Sequence, residues 1–349
     1  MSLIPATILT GFLGSGKTTL LKRVLQEAHG QKIAVIENEF GEENIDSDIL
    51  VSDTQEQIIQ MSNGCICCTI REDLRATLRD LAEKKRKGEL AFDRVVIETT
   101  GLADPGPVAQ TFFMDDEIAE SYLLDSILTL VDAKHAQTQL DERQEARRQI
   151  GFADQIFISK TDLVAPDDVA ALMHRLTHMN PRAPQKAVHF GEVALSQVFD
   201  LRGFNLNAKL DIDPDFLKEE EHGHEHHDHA PGEPCDHPSH QHGAGHHHAQ
   251  EDDVKSFVFK SDRDFDPAKL EDFLGAIVNI YGPRMLRYKG VLSMKGTERK
   301  VIFQGVHQLM GSDLGPAWAA GEQRSSKMVF IGIDLPKDIF LQGLTQSLV

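Results

Sequence analysis

The chain has 349 residues, room for two domains at about 100–200 residues each. Its 36 Lys and Arg against 55 Asp and Glu leave a formal charge of −19, which argues against nonspecific binding to nucleic acid or to an anionic membrane, because both need a positive surface. Hydrophobic residues make up 40%, enough for a packed core, and no apolar run approaches the roughly 20 residues of a membrane span.

Residues 1–205 alternate short apolar runs with amphipathic stretches. Strands are expected at Ile4–Leu9, Lys32–Glu37, Arg94–Glu98, Ser126–Val131 and Gln155–Ser159. Helices are expected at Lys17–Glu27, Ile70–Lys84, Ala133–Gln149 and Asp167–His178. Such alternation implies βαβ units and an α/β fold with a largely parallel sheet covered on both faces. Ligands then bind on the edge that carries the strand-to-helix loops. Residues 206–253 break the pattern. They are acidic, rich in His, Gly and Pro, and have almost nothing to bury, so they read as a disordered linker. Order resumes over residues 254–349 as a smaller α+β domain. Its strands are expected at Ser256–Phe259, Lys300–Gln304 and Met328–Asp334, and its helices at Pro267–Ile280 and Lys337–Ser347. The N-terminus has no basic region and no cleavage site, so no secretory leader is expected and the chain reads as cytoplasmic.

The run Gly11-Phe12-Leu13-Gly14-Ser15-Gly16-Lys17-Thr18 fits G-x-x-x-x-G-K-[ST] between a strand and a helix. Glycines let backbone N–H groups curl around phosphates, and the helix N-terminus adds a positive dipole end. Lys17 is expected to bridge the β- and γ-phosphates and Thr18 to bind Mg²⁺. Glu98, at the end of Arg94–Glu98, is the expected second acid at Mg²⁺, and Gly101 frees the loop that follows. A carboxylate at the later strand end, in Ser159-Lys160-Thr161-Asp162, can accept two N–H bonds from guanine, which adenine cannot offer. Asp162 therefore favours GTP over ATP, with the Lys160 stem over the base and Ser159 where Asn is commoner.

Three thiols within four residues, Cys65, Cys67 and Cys68, sit ahead of a helix. Thiolates suit Zn²⁺ and other soft or borderline cations, and a helix N-terminus favours the thiolate. A dithiol redox pair and buried small residues are the alternatives. Tetrahedral zinc needs a further ligand, and the loop Glu37-Asn38-Glu39-Phe40-Gly41-Glu42-Glu43 is the nearest source, with Glu37 and Glu42 as candidates. Of 17 histidines, 11 lie between His222 and His248. His222, His224, His226, His227, His229, His246, His247 and His248 are candidate ligands for weaker, exchangeable sites, with a plain solvated linker as the alternative. His135, His174, His178 and His307 read as ordinary packed or surface histidines, and Arg284, Arg287 and Lys289 have no readable role.

The P-loop run through Thr19, Glu37-Asn38-Glu39-Phe40-Gly41, Asn63-Gly64-Cys65-Ile66-Cys67-Cys68, Glu98-Thr99-Thr100-Gly101 and Ser159-Lys160-Thr161-Asp162 together resemble the CobW-like metal-chaperone GTPases. Leu286-Arg287-Tyr288-Lys289-Gly290 and Phe303-Gln304-Gly305-Val306-His307 are similar to that family's C-terminal domain. The likeness is strongest to the zinc-associated YjiA branch. It implies GTP hydrolysis with Mg²⁺, a P-loop in which Gly11, Gly14, Ser15, Gly16, Lys17, Thr18 and Thr19 hold the nucleotide, and zinc delivery from the C-x-C-C turn to a client metalloprotein. Glu39 is the candidate for positioning the attacking water. Co²⁺ or Ni²⁺ insertion, or a metal store with a vestigial GTPase, are the competing functions, and the client and any homo-oligomer are unreadable.

Overall fold

The computed structural model describes residues 3–27, 31–38, 58–61, 69–204 and 252–349. Seven strands, β1 (Ile4–Gly11), β2 (Ile33–Asn38), β3 (Ile58–Met61), β4 (Arg94–Glu98), β5 (Tyr122–Asp132), β6 (Gln155–Ser159) and β7 (Gln185–Val188), form one sheet in the order β3-β2-β4-β1-β5-β6-β7. Every pairing in it is parallel. All the strand C-terminal ends therefore lie on one edge, and the helix N-termini that follow them lie there too.

The helices are α1 (Lys17–Glu27), α2 (Thr69–Lys87), α3 (Pro105–Met114), α4 (Asp116–Ser121), α5 (Ala136–Glu142), α6 (Gln144–Phe152) and α7 (Pro166–Met179). α1 buries Leu20, Leu21, Val24 and Leu25, the i, i+1, i+4, i+5 stripe that its sequence predicts. The single helix expected over Ala133–Gln149 is two. Arg143, at φ −123° and ψ 113°, is extended and separates α5 from α6. α3 opens on Asp104, whose carboxylate accepts from the Gly106 N–H, with Pro105 in the first turn. Its sequence is apolar all round and carries no helical stripe, which is why periodicity did not mark it.

The remaining elements are β8 (Val254–Ser261), α8 (Pro267–Tyr281), β9 (Met285–Leu292), β10 (Arg299–Val306), β11 (Leu309–Ala317), β12 (Ser326–Ile333) and α9 (Lys337–Gln346). The strands form an antiparallel sheet in the order β11-β10-β9-β12-β8. One face buries Phe257, Phe259, Tyr288, Phe303 and Phe330 against Leu270, Leu274 and Ile277 of α8 and Phe340 and Leu344 of α9. The other face joins the core of the first sheet, where Val254, Leu286 and Ile331 pack in one cluster with Ile150 and Phe152 of α6. Gly151 makes this approach feasible: a Cβ there would stand 2.5 Å from Leu286 Cδ1. The junction is also ionic. Arg287 of β9 is 3% exposed, and its guanidinium lies 2.6 Å from Asp154 Oδ1 and 3.7 Å from the Phe204 ring centroid. It also donates to the Phe152 and Gly203 carbonyls at 3.1 and 2.5 Å. Among the described residues, no helix is long and apolar enough to cross a membrane.

Candidate functional site

The loop between β1 and α1 has the backbone of a phosphate cradle. Gly11, Gly14 and Gly16 have φ values of 143°, 74° and 97°, the region that favours glycine. Space matters as much as φ: a Cβ on Gly11 would stand 2.4 Å from the Leu130 carbonyl oxygen. Lys17, the first residue of α1, is 9% exposed and folds back over the loop. Its Nζ donates to the carbonyls of Gly11 at 2.9 Å and Phe12 at 3.3 Å. Burial pushes the Lys17 ammonium below its ordinary pKa, and the nearby Glu98 carboxylate opposes that shift. The Ser15 hydroxyl is buried in the same loop with no hydrogen-bond partner among the described residues.

Thr18 Oγ1 donates to Glu98 Oε1 at 3.1 Å, across 80 residues of sequence. A hydroxyl and a carboxylate side by side at a phosphate loop are hard oxygen donors of the kind Mg²⁺ takes. The P-loop glycines, Lys17, Thr18 and Glu98 therefore fit a magnesium-bound nucleoside triphosphate. Gly101 follows Glu98 in a tight contact with the P-loop, since a Cβ there would stand 2.6 Å from the Leu13 backbone nitrogen. The Gln149 side chain, 1% exposed on α6, donates to the Gly101 and Ala103 carbonyls at 3.1 and 3.0 Å. Sequence reasoning missed Gln149, because a lone glutamine on a helix carries no local signal.

At the end of β6, Ser159 Oγ donates to the Ser15 carbonyl at 2.8 Å, tying this strand to the phosphate loop. Lys160 adopts φ 57° and extends its ammonium to the Gly14 carbonyl at 2.8 Å and Asp132 Oδ2 at 2.7 Å. Burial would raise the Asp132 pKa. Hydrogen bonds from Lys160, His135 and the Lys134 N–H outweigh it and hold the carboxyl below its ordinary value. Asp162 is half exposed beside this bridge, with His189 Nδ1 3.7 Å away. His189 and Phe190 follow β7, where no element was expected. The Phe190 ring packs edge-on against His189 at 4.5 Å and is 75% exposed. An aromatic face and a carboxylate on one rim suit a planar base.

On the other side of the P-loop strand, Glu98 pairs in register with Leu9 of β1 and with Glu37 of β2. Glu37 thus occupies the strand position next to Glu98, one strand spacing of about 4.8 Å away. Glu39, Glu42, Cys65, Cys67, Cys68 and the eight candidate histidines from His222 to His248 lie outside the described residues. By chain order the thiol turn joins β3 to α2. Among the described residues, no group of three or more His, Cys, Asp or Glu is arranged to hold a metal.

His307 is packed, as its sequence context suggests, but in the hairpin between β10 and β11 at φ 51° rather than within a strand. Its ring lies edge-on to Phe152 at 5.2 Å, and a Cβ on Gly106 would stand 2.6 Å from its Nε2. Burial lowers the His307 pKa, with Asp104 opposing.

Residues 5–186 match the CobW/HypB/UreG nucleotide-binding domain, and residues 254–348 match the cobalamin synthesis protein cobW C-terminal domain. The chain is 39% identical over 339 residues to the zinc chaperone YjiA of Escherichia coli K12, covering 97% of this chain and 96% of that one. It is 30% identical over 358 residues to the zinc chaperone CobW of a Sinorhizobium species, covering 95% and 93%. Its structure is similar to the crystal structure of Zn(II)-bound YjiA GTPase from E. coli, with a TM-score of 0.75, 33% identity and 99% of each chain covered. With the phosphate loop, the Thr18–Glu98 pair and the matched C-terminal sheet in place, the chain belongs to the CobW/HypB/UreG family of P-loop GTPases.

Proposed function

We propose that this protein is a cytoplasmic GTP-driven zinc chaperone that binds its cargo at Cys65, Cys67 and Cys68 with help from Glu37 or Glu42 and releases it to a client metalloprotein. The observation that carries the reading is the strand register. Glu37 sits beside Glu98, and Glu98 accepts the Thr18 hydroxyl at the phosphate loop. A change at the γ-phosphate is therefore one strand away from a zinc-ligand candidate. The names of the relatives, zinc chaperones and a zinc-regulated GTPase metalloprotein activator from Schizosaccharomyces pombe, support zinc as cargo. The domain division is 1–205 for the nucleotide unit, 206–253 for the acidic linker and 254–349 for the C-terminal unit. Imidazoles of the linker serve as weaker collecting sites.

In the nucleotide step, the P-loop N–H groups and Lys17 hold the phosphates, while Thr18 and Glu98 hold Mg²⁺. A magnesium ion held by Thr18 and Glu98 would supply charge neutralisation for the phosphates. Glu39 positions the attacking water. Loss of the γ-phosphate changes what Glu98 holds and so the setting of its strand neighbour Glu37, while Gln149 anchors the Gly101–Ala103 backbone beyond Glu98. Coupling of this kind is reciprocal: if GTP changes zinc affinity, zinc changes GTP affinity by the same factor.

The test is zinc affinity measured against a chelating dye with GDP and then with a non-hydrolysable GTP analogue, on protein lacking residues 222–248. A shift of about tenfold, or about 1.4 kcal/mol of coupling, is expected. Changing Cys65, Cys67 and Cys68 together to Ser is expected to abolish the shift and leave GDP binding intact. Survival of the shift in that variant places the switched site elsewhere. Base choice has its own check. Asp162→Ala removes a charged acceptor, so GDP affinity is expected to fall about ten- to hundredfold while ADP affinity stays put. Equal losses for both nucleotides would remove Asp162 from base recognition.

A further inference from the structure

Helix α7 carries two imidazoles that the nucleotide site does not use. His174 and His178 are one turn apart on the same face, and both are exposed. Their Nε2 atoms are 3.2 Å apart, with ring centroids at 4.4 Å and planes at 73°. Two ligand nitrogens at about 2.0–2.1 Å from a tetrahedral Zn²⁺ stand about 3.3–3.4 Å from each other; the two Nε2 atoms share a hydrogen bond at nearly that spacing, and a bound cation would take the place of its proton.

The surroundings favour a cation. Arg175, between the two histidines, has its charge committed elsewhere. Its Nε and Nη2 donate to the two Asp252 carboxylate oxygens at 2.9 and 2.7 Å, and Nη2 lies 2.7 Å from Asp141 Oδ1. The helix is also held in place. Leu172, Leu176 and Met179 are buried on its opposite face, and Ser256 of β8 donates to the His178 carbonyl at 3.0 Å. A chelate on a fixed helix loses little freedom on binding. Asp252 lies four residues beyond His248, a chain span of at most about 14 Å.

We propose that His174 and His178 form a bidentate imidazole site for a divalent transition cation, made of residues that belong neither to the C-x-C-C motif nor to the P-loop. The two imidazoles supply two of the positions that such a cation takes.

The test uses the full-length chain with ZnCl₂ alone as the probe. Histidine reactivity towards diethylpyrocarbonate is read residue by residue by mass spectrometry. His174 and His178 are expected to lose reactivity together at one zinc midpoint. His174→Ala, a change at an exposed helical position that favours helix, is expected to raise the His178 midpoint at least tenfold and to leave GTP turnover unchanged. Undiminished reactivity of both residues at saturating zinc overturns the proposal. So does protection of His178 at an unaltered midpoint in the His174→Ala protein.

Discussion

Lys17→Ala is expected to lower GTP turnover by about 10²–10³-fold, the cost of losing one preorganised charge at a developing anionic centre. The Lys17 ammonium lies on the Gly11 and Phe12 carbonyls at 2.9 and 3.3 Å. It needs only to leave those oxygens to reach a phosphate cradled by the same loop. Burial makes this lysine a poorly solvated cation and pushes its pKa down, against the pull of Glu98. An anionic phosphate is thus a better partner than a neutral carbonyl. Because the charge is already desolvated, its removal is not expected to lower the melting temperature. Phosphate release and thermal melting of the same preparation check both statements. Turnover within about threefold of the parent would remove Lys17 from the reaction.

Arg287→Met is expected to destabilise the protein by about 3–5 kcal/mol, the usual effect of breaking a buried ion pair from one side. Asp154 is 7% exposed on its side chain and would lose the guanidinium 2.6 Å away. Its other oxygen accepts from the Ile127 N–H at 2.9 Å, so the carboxylate cannot swing out to water without unpairing the backbone of β5. The same substitution removes the donors to the Phe152 and Gly203 carbonyls. Denaturant unfolding followed by tryptophan fluorescence reads the C-terminal unit, where the single Trp318 resides. An unchanged midpoint would mean that apolar packing alone joins the two sheets. GDP affinity serves as the control, since the partners of Arg287 among the described residues are Asp154, Phe152, Gly203 and Phe204, none of them in the P-loop.

Several parts of the molecule were legible because they depend on neighbours in sequence. The phosphate loop is one. Its glycines, lysine and threonine are required by the backbone shape and chemistry of an eight-residue turn. Gln155–Ser159 sets three apolar residues between Gln and Ser and is a strand with those bounds. Pro267 follows the capping Asp266, and α8 starts there. β3 and β7 were not legible, being four-residue strands too short for a period to show. β9 was hidden because both its faces are covered, leaving no alternation of apolar and polar residues. β11 is largely exposed, and its glycines and proline read as a loop.

The sequence by itself determined the family of chemistry, a P-loop GTPase with its triphosphate cradle, and named by residue type and spacing the candidates for the magnesium pair, the base-reading carboxylate and the thiol turn. Only the tertiary structure decided which of these meet. Strand order sets Glu37 beside Glu98. A crossover of 80 residues brings Glu98 to Thr18, and one of 144 brings Ser159 to Ser15. It also decided that Arg287, unreadable in the sequence, is a buried tie between two sheets. Local chemistry is written in adjacent residues. Register, sheet order and the burial of a charge are settled by the packing of the whole chain, where many weak contacts far apart in sequence select one arrangement.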